Sequence, residues 1–218
     1  MASQSLELTL ELLELQIGRV IGKGGFSVVS EINGIRLDDV YDTSEEETKQ
    51  RKEFSLQCRG QSTKNRFVLK TLRSDLPEEE YAKGVVDLAM EADFLSHLVH
   101  PNIITMRATA NSDPHESKFF VLLDRLVLTL EKKLTFWRTE VGDSIGIWMG
   151  PCGYCCAKKH ILHRLWMERF MVARDIAKAI QYLHSQQICY RDLVRYLNQY
   201  WVPWIVCDCA TTHVIVST

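Results

Sequence analysis

The sequence predicts an α+β protein built as two lobes, and three observations lead there. Five apolar, β-branched stretches fall within residues 15–123 around a single helical segment. The strongest helical periodicity lies well beyond them, after residue 128. The 218 residues leave room for one medium domain or two small lobes sharing a cleft.

The elements follow in order. Residues 1–13 place Leu6, Leu8, Leu10 and Leu12 among mostly polar neighbours, a pattern that fits a strand or a short Leu/Glu helix and leaves both open. From Leu15 to Leu37 apolar and β-branched residues flank Gly22, Gly24 and Gly25, which reads as two strands joined by a flexible turn. Residues 38–66 carry seven acids and three bases in DDVYDTSEEETKQRKE with no apolar period, so a solvated surface insertion is expected. Arg66 to Leu72 is a third strand. Pro77 and three glutamates open a helix that runs to Leu98, with Val85, Leu88, Ala92, Leu95 and Leu98 on one face. His100-Pro101-Asn102 ends it, and Ile103–Ala108 and Phe119–Leu123 read as two more strands. A second helix is expected over Leu128–Trp137. A Gly- and Cys-rich stretch separates it from a third, Leu165–His184, whose Ile176, Ile180 and Leu183 form a stripe for further helices to cover.

Composition excludes several classes of function. With 46% apolar and 25% charged residues the chain is neither disordered nor collagen-like. Twenty-six Lys and Arg against 28 Asp and Glu give a net charge of −2, so electrostatics make no case for nucleic acid or an anionic membrane as partner. The longest apolar run, Trp201 to Cys207, is short and broken by Pro203, too little to cross a bilayer. Glu7, Glu11 and Glu14 precede the first basic residue, Arg19, which does not fit a signal peptide. Seven scattered cysteines, an odd number, suit a reducing compartment, so a cytoplasmic monomer is expected.

The order of a few motifs carries the chemistry. A glycine turn lies on the first hairpin, a lone lysine, Lys70, in the apolar third strand, a glutamate, Glu91, in the next helix, and the pair Arg191-Asp192 after a later helix. Glycine amides can approach phosphate oxygens because no Cβ intervenes. An ammonium can hold the same phosphates if a carboxylate fixes its position. Taken singly, the turn could bind nothing, Lys70 could snorkel, and Arg191-Asp192 could be a surface ion pair.

As a set, these residues resemble the eukaryotic protein kinase family over roughly Leu15 to Leu193. IGKGGFSVV is similar to the family's glycine-rich loop, with Gly22 and Gly24 in its first two glycine positions, Ser27 in place of the third and Val29 over the adenine. VLK resembles the family's lysine strand, AMEADFLSHLVHPNI its third-helix segment, FVLLDRL the strand entering the hinge, and YLHSQQICYRDL the catalytic loop. The resemblance implies a two-lobed kinase fold, with a complete small lobe over 15–127, including the insertion 38–66, and an incomplete large lobe starting over 128–198. It implies ATP and Mg²⁺ as cofactors, a protein substrate, and transfer of the γ-phosphoryl to Ser/Thr, the default specificity. Ile21, Gly22, Lys23, Gly24, Gly25, Phe26, Ser27 and Val29 would contact ATP, Lys70, fixed by its partner Glu91, would hold the phosphates, and Asp124 to Leu126 would meet adenine behind the gatekeeper Leu123. Asp192 would be the catalytic aspartate, with Tyr190 where histidine is commonest.

Beyond RDL the chain departs from the family. Val194 and Leu197 stand where the resemblance calls for a lysine and a metal-binding asparagine, Asn198 falls one place late, and Cys207-Asp208-Cys209 is a poor match to DFG. The tail 199–218 does not resemble the family. The expectation is therefore an inactive, truncated form, with a pseudokinase-like nucleotide- or partner-binding module as the alternative. A third possibility is a zinc module. Cys152-x2-Cys155-x4-His160 has the opening spacing of a zinc knuckle, with Cys156 and His163 as spare ligands, but Leu165 occupies the fourth position.

Overall fold

The computed structural model describes residues 8–37, 45–58, 66–116, 118–126, 128–146, 156–189, 205–207 and 212–214. A six-stranded mixed sheet dominates it. The strands are β1 (Thr9–Leu10), β2 (Leu15–Lys23), β3 (Ser27–Ile35), β4 (Phe67–Leu72), β5 (Met106–Ala110) and β6 (Phe120–Asp124), in the spatial order β1-β5-β6-β4-β3-β2. All neighbours are antiparallel except β1 and β5. The α+β class is as the sequence predicts; of the first thirteen residues 1–7 lie outside the described ones, and the rest hold the short strand β1 followed by a 3-10 turn over Leu12–Glu14.

Among the described residues four α-helices accompany the sheet: α1 (Glu45–Cys58), α2 (Glu78–His97), α3 (Leu130–Gly146) and α4 (Cys156–Ser185). Three differ from expectation. Part of the 38–66 segment is not a solvated loop but α1, whose Phe54 stacks on Phe67 of β4 at 4.8 Å and whose Cys58 is buried. The third residue anchoring α1 is charged. Arg51 is buried against Glu14, and its guanidinium also donates to the carbonyl of Thr9 at 2.7 Å. A helix fastened by two apolar residues and a buried ion pair shows no apolar period, which is why the pattern was silent.

The second and third differences concern length. α3 runs nine residues past Trp137, and α4 begins nine residues before Leu165. The two are joined by a polar network in which Glu168 accepts hydrogen bonds from Trp137 Nε1 at 2.9 Å and pairs with Lys133 at 3.0 Å, while Arg164 pairs with Glu140 at 2.9 Å. Such contacts extend a helix without adding to its apolar stripe.

The core includes Leu10, Ile32, Phe67, Leu69, Ile103, Ile104, Phe120, Leu122 and Leu123, all fully buried. It continues into α4. Ala179 and Leu183 are fully buried in the same cluster, with Ile176 packed against it, and Tyr182 Oη accepts the N–H of Val99 at 3.0 Å beneath the stacked ring of His100. Of the stripe expected to await further helices, Leu183 and Ile176 are thus already covered by the sheet domain, while Ile180 is half-buried outside this cluster. A separate hairpin, β7 (Ile205–Cys207) with β8 (Thr212–Val214), pairs antiparallel. Among the described residues no helix is long and apolar enough to cross a membrane.

Candidate functional site

Sheet register builds the site. Lys70 lies opposite Val29 of β3 on one side and Val121 of β6 on the other, so the three side chains share one face of the sheet. An ammonium between two valines has no polar neighbour in its own strand row and must find one elsewhere. It finds Glu91, brought by α2 from 21 residues away, in a buried ion pair whose side chains are 8% and 7% exposed. The helix is set by Pro77 as N-cap, Glu78, Glu79 and Glu80 in its first turn, and the buried stripe Val85, Leu88, Ala92 and Leu95. Glu91 falls on the edge of that stripe. Its second oxygen, Oε1, is buried with no hydrogen-bond partner among the described residues. One turn earlier, Asp87 has its carboxyl raised above the ordinary range by burial and by the charge of Glu91, with Lys70 opposing.

The glycine turn lies at the end of the β2–β3 hairpin. Ile21, Gly22 and Lys23 close β2, Gly24, Gly25 and Phe26 form the turn, and Ser27 opens β3, with the N–H of Gly24 donating to the carbonyl of Ser27 at 2.7 Å. None of the described glycines has positive φ. A Cβ at Gly22 would meet nothing nearer than Val29 at 3.8 Å, and one at Gly24 nothing nearer than 3.5 Å. The turn's own packing therefore does not demand glycine at either position. By contrast, a Cβ at Gly84 of α2 would come within 2.9 Å of Phe26 and 3.0 Å of Leu72, so this glycine lets the helix approach the turn.

Lys23 is not directed at the turn's interior. It pairs with Asp75 at 3.0 Å, and Asp75 also receives a two-pronged bond from Arg73. Arg73 reaches back to the turn through its guanidinium and its N–H. Gly84, Arg73, Asp75 and Asp87 are the residues that sequence reasoning missed. An isolated glycine inside a helical pattern could have flagged Gly84; the others carry no local signal.

At the expected hinge, the side chains are committed to ion pairs. Asp124 takes Arg107 at 3.0 and 2.5 Å, and Arg125 pairs with Glu31 at 2.7 Å. Glu31 also holds Arg19, and although burial opposes it, the two guanidiniums keep its carboxyl below the usual range. The N–H groups of Asp124 and Arg125 donate to the carbonyls of Thr105 and Arg66, and Leu126 packs at the core's edge.

Tyr190, Arg191 and Asp192 lie outside the described residues, as do Val194, Leu197, Asn198 and Asp208. Cys152 and Cys155 also lie outside them, while His160 and His163 are exposed on α4. Among the described residues no group of three or more His, Cys, Asp or Glu side chains could hold a metal ion. Two grooves, of about 400 and 450 Å³, run along a different face of α2 against β5, and neither is lined by Lys70, Glu91 or the glycine turn. No family model matches this chain, and no curated protein matches it.

Proposed function

We propose that the chain is a protein-kinase-like, nucleotide-binding protein whose sheet domain takes ATP beneath the glycine turn. The observation that carries this reading is the buried Lys70–Glu91 pair in the strand next to the glycine hairpin. A lysine fixed by a helix glutamate is the arrangement that holds ATP phosphates in the family the sequence resembles. The glycine turn adds support, because a turn that has room for Cβ atoms yet lacks them leaves space for a phosphate to meet its amides closely. Val29, on the face of Lys70, would pack on the adenine, and the N–H of Leu126 would bond its edge. In the parent activity the γ-phosphoryl passes to a protein Ser or Thr hydroxyl oriented by Asp192.

Among the described residues no group of three or more His, Cys, Asp or Glu side chains could hold a metal ion, and no step is assigned to Mg²⁺. The second reading, a non-catalytic nucleotide- or partner-binding module, is favoured by Val194 and Leu197 at the positions of the missing lysine and asparagine.

The test is calorimetric titration of the full chain with ATP in the presence of Mg²⁺, alongside γ-phosphoryl transfer to a generic protein substrate. Wild-type chain should bind ATP, and Lys70→Met, checked for folding by circular dichroism, should lose that binding. Glu91→Gln should weaken it less, since an amide still accepts one hydrogen bond from the ammonium. Asp192→Asn should leave binding unchanged, and transfer above that of Asp192→Asn would assign catalysis to this chain. Wild-type chain that binds no ATP, or binds it no better than Lys70→Met, overturns the reading.

A further inference from the structure

We infer that Gly84 is a positioning residue: it sets how closely α2 lies on the end of β4, and thereby whether Glu91 holds Lys70 where a phosphate would meet it. The phosphate half of this inference rests on the nucleotide reading above; the seating of the helix does not.

Glycine is a poor choice for a helix interior, since it loses the most backbone freedom on folding and brings no side chain to pack. Gly84 nonetheless lies inside α2 and is buried. Its neighbours supply the reason. A Cβ there would come within 2.9 Å of Phe26 Cβ and 3.0 Å of Leu72 Cδ2. The methyl of Leu72 is the end of a flexible side chain and can turn aside, whereas Phe26 Cβ moves only with its backbone. That backbone is tied down. The carbonyl of Phe26 accepts the N–H of Arg73 at 2.9 Å, those of Gly24 and Gly25 accept Arg73 Nη1 at 3.2 and 2.7 Å, and the next residue, Ser27, pairs with Leu72 in the sheet. A side chain at position 84 is therefore accommodated by α2 backing away from β4.

The same movement reaches Lys70. Gly84 and Glu91 are about two turns apart and lie on one face of α2. Leu72 lies two residues beyond Lys70 in β4, so the two share one face of the strand. The helix is thus seated on the strand at two points, Gly84 on Leu72 and Glu91 on Lys70. Raising it at the first draws the carboxylate from the ammonium at the second, and a hydrogen-bonded ion pair tolerates little lengthening.

The experiment uses the full chain as wild type, Gly84→Ala, Gly84→Leu, Glu91→Gln, and Glu91→Gln with Gly84→Leu. Alanine and leucine both form helix better than glycine, so a loss that grows with side-chain size comes from packing, not propensity. Without ligand, acetylation of Lys70 by an amine-directed reagent, read by mass spectrometry, should be faster in Gly84→Ala and about tenfold faster in Gly84→Leu. Lys133, equally buried in α3 against Glu168, should react as in wild type. Binding of ATP should weaken about tenfold in Gly84→Leu and less in Gly84→Ala, while binding of adenosine, which has no phosphate, is unchanged. In the Glu91→Gln background, where the ion pair is already lost, Gly84→Leu should weaken ATP by no more than about threefold further. Unchanged acetylation of Lys70 in both Gly84 variants overturns the seating, and so does an equal rise at Lys70 and Lys133, which a general loss of structure would produce; Gly84→Ala, the milder change, decides if Gly84→Leu does not fold. An ATP loss of the same size in both Glu91 backgrounds overturns the route through Glu91. If wild type binds ATP no more tightly than adenosine, the nucleotide reading and the phosphate half fail together, and the acetylation rates still decide the seating.

Discussion

Lys70 shows how one residue's chemistry depends on its surroundings. In β4 it is a charge flanked by Val29 and Val121, and Glu91 neutralises it. Removing one member of a buried pair leaves the other uncompensated, at a cost of about 3–5 kcal/mol, whereas replacing both by apolar residues is often neutral. Lys70→Met should therefore lower the urea midpoint markedly, and Lys70→Met with Glu91→Leu should recover most of the loss. A double variant no more stable than the single one would show that the pair is not the unit. Asp87 makes a pH-dependent contribution of opposite sense to a salt-bridged carboxylate. Burial, then Glu91, raises its folded value, so it binds its proton more tightly folded than unfolded. Its stabilising contribution is present below the unfolded value and is lost as pH rises through the folded one. Relative to wild type, Asp87→Asn should gain in melting temperature on going from about pH 4 to about pH 7. A constant difference between the two would mean that Asp87 is solvated like any surface aspartate.

At the scale of elements, the helices divide by what holds them. α2 has caps and an apolar stripe, and its predicted bounds fall within a residue of the observed ones. α1 is held by Phe54, Cys58 and the Arg51–Glu14 pair, where Glu14 is itself fastened by accepting the N–H of Glu11 at 2.8 Å. Arg51→Met should cost about 3–5 kcal/mol and release α1 locally, because Glu14 would remain buried without its cation. Hydrogen exchange over residues 45–58 should rise in that variant more than exchange in α2. Equal increases in both helices would mean that α1 unfolds only with the whole molecule.

For the whole molecule, the surface that remains apolar is not the one its helical period singled out. Trp166, Met167, Phe170 and Met171 of α4 are exposed, Trp166 by 68% and Phe170 by 63%, while Ala179 and Leu183 of the same helix are inside the core. Exposed aromatic and methionine side chains on one helix favour self-association. Size-exclusion chromatography should give a concentration-dependent, larger species for the wild type, and Trp166→Glu with Phe170→Glu should shift it to monomer without lowering the melting temperature. A wild-type monomer at all concentrations would mean that the patch is harmless.

By itself the sequence determined the class, the bounds of α2, the strands β2 to β6 to within a few residues, the place of the glycine turn on the first hairpin and the pairing of Lys70 with Glu91. These are local properties: a period of two or 3.6, a proline, a run of glutamates, and motifs whose order along the chain is their signal. Motif order already set Glu91 against Lys70, but only tertiary structure decided the other partners. Arg51 finds Glu14 across 37 residues, and Arg73 finds the Gly24 carbonyl across 49. A buried ion pair leaves no hydrophobic period, and in sequence its members look like two solvated residues. Only the packing of a helix on a sheet removes the water between them and makes each necessary to the other.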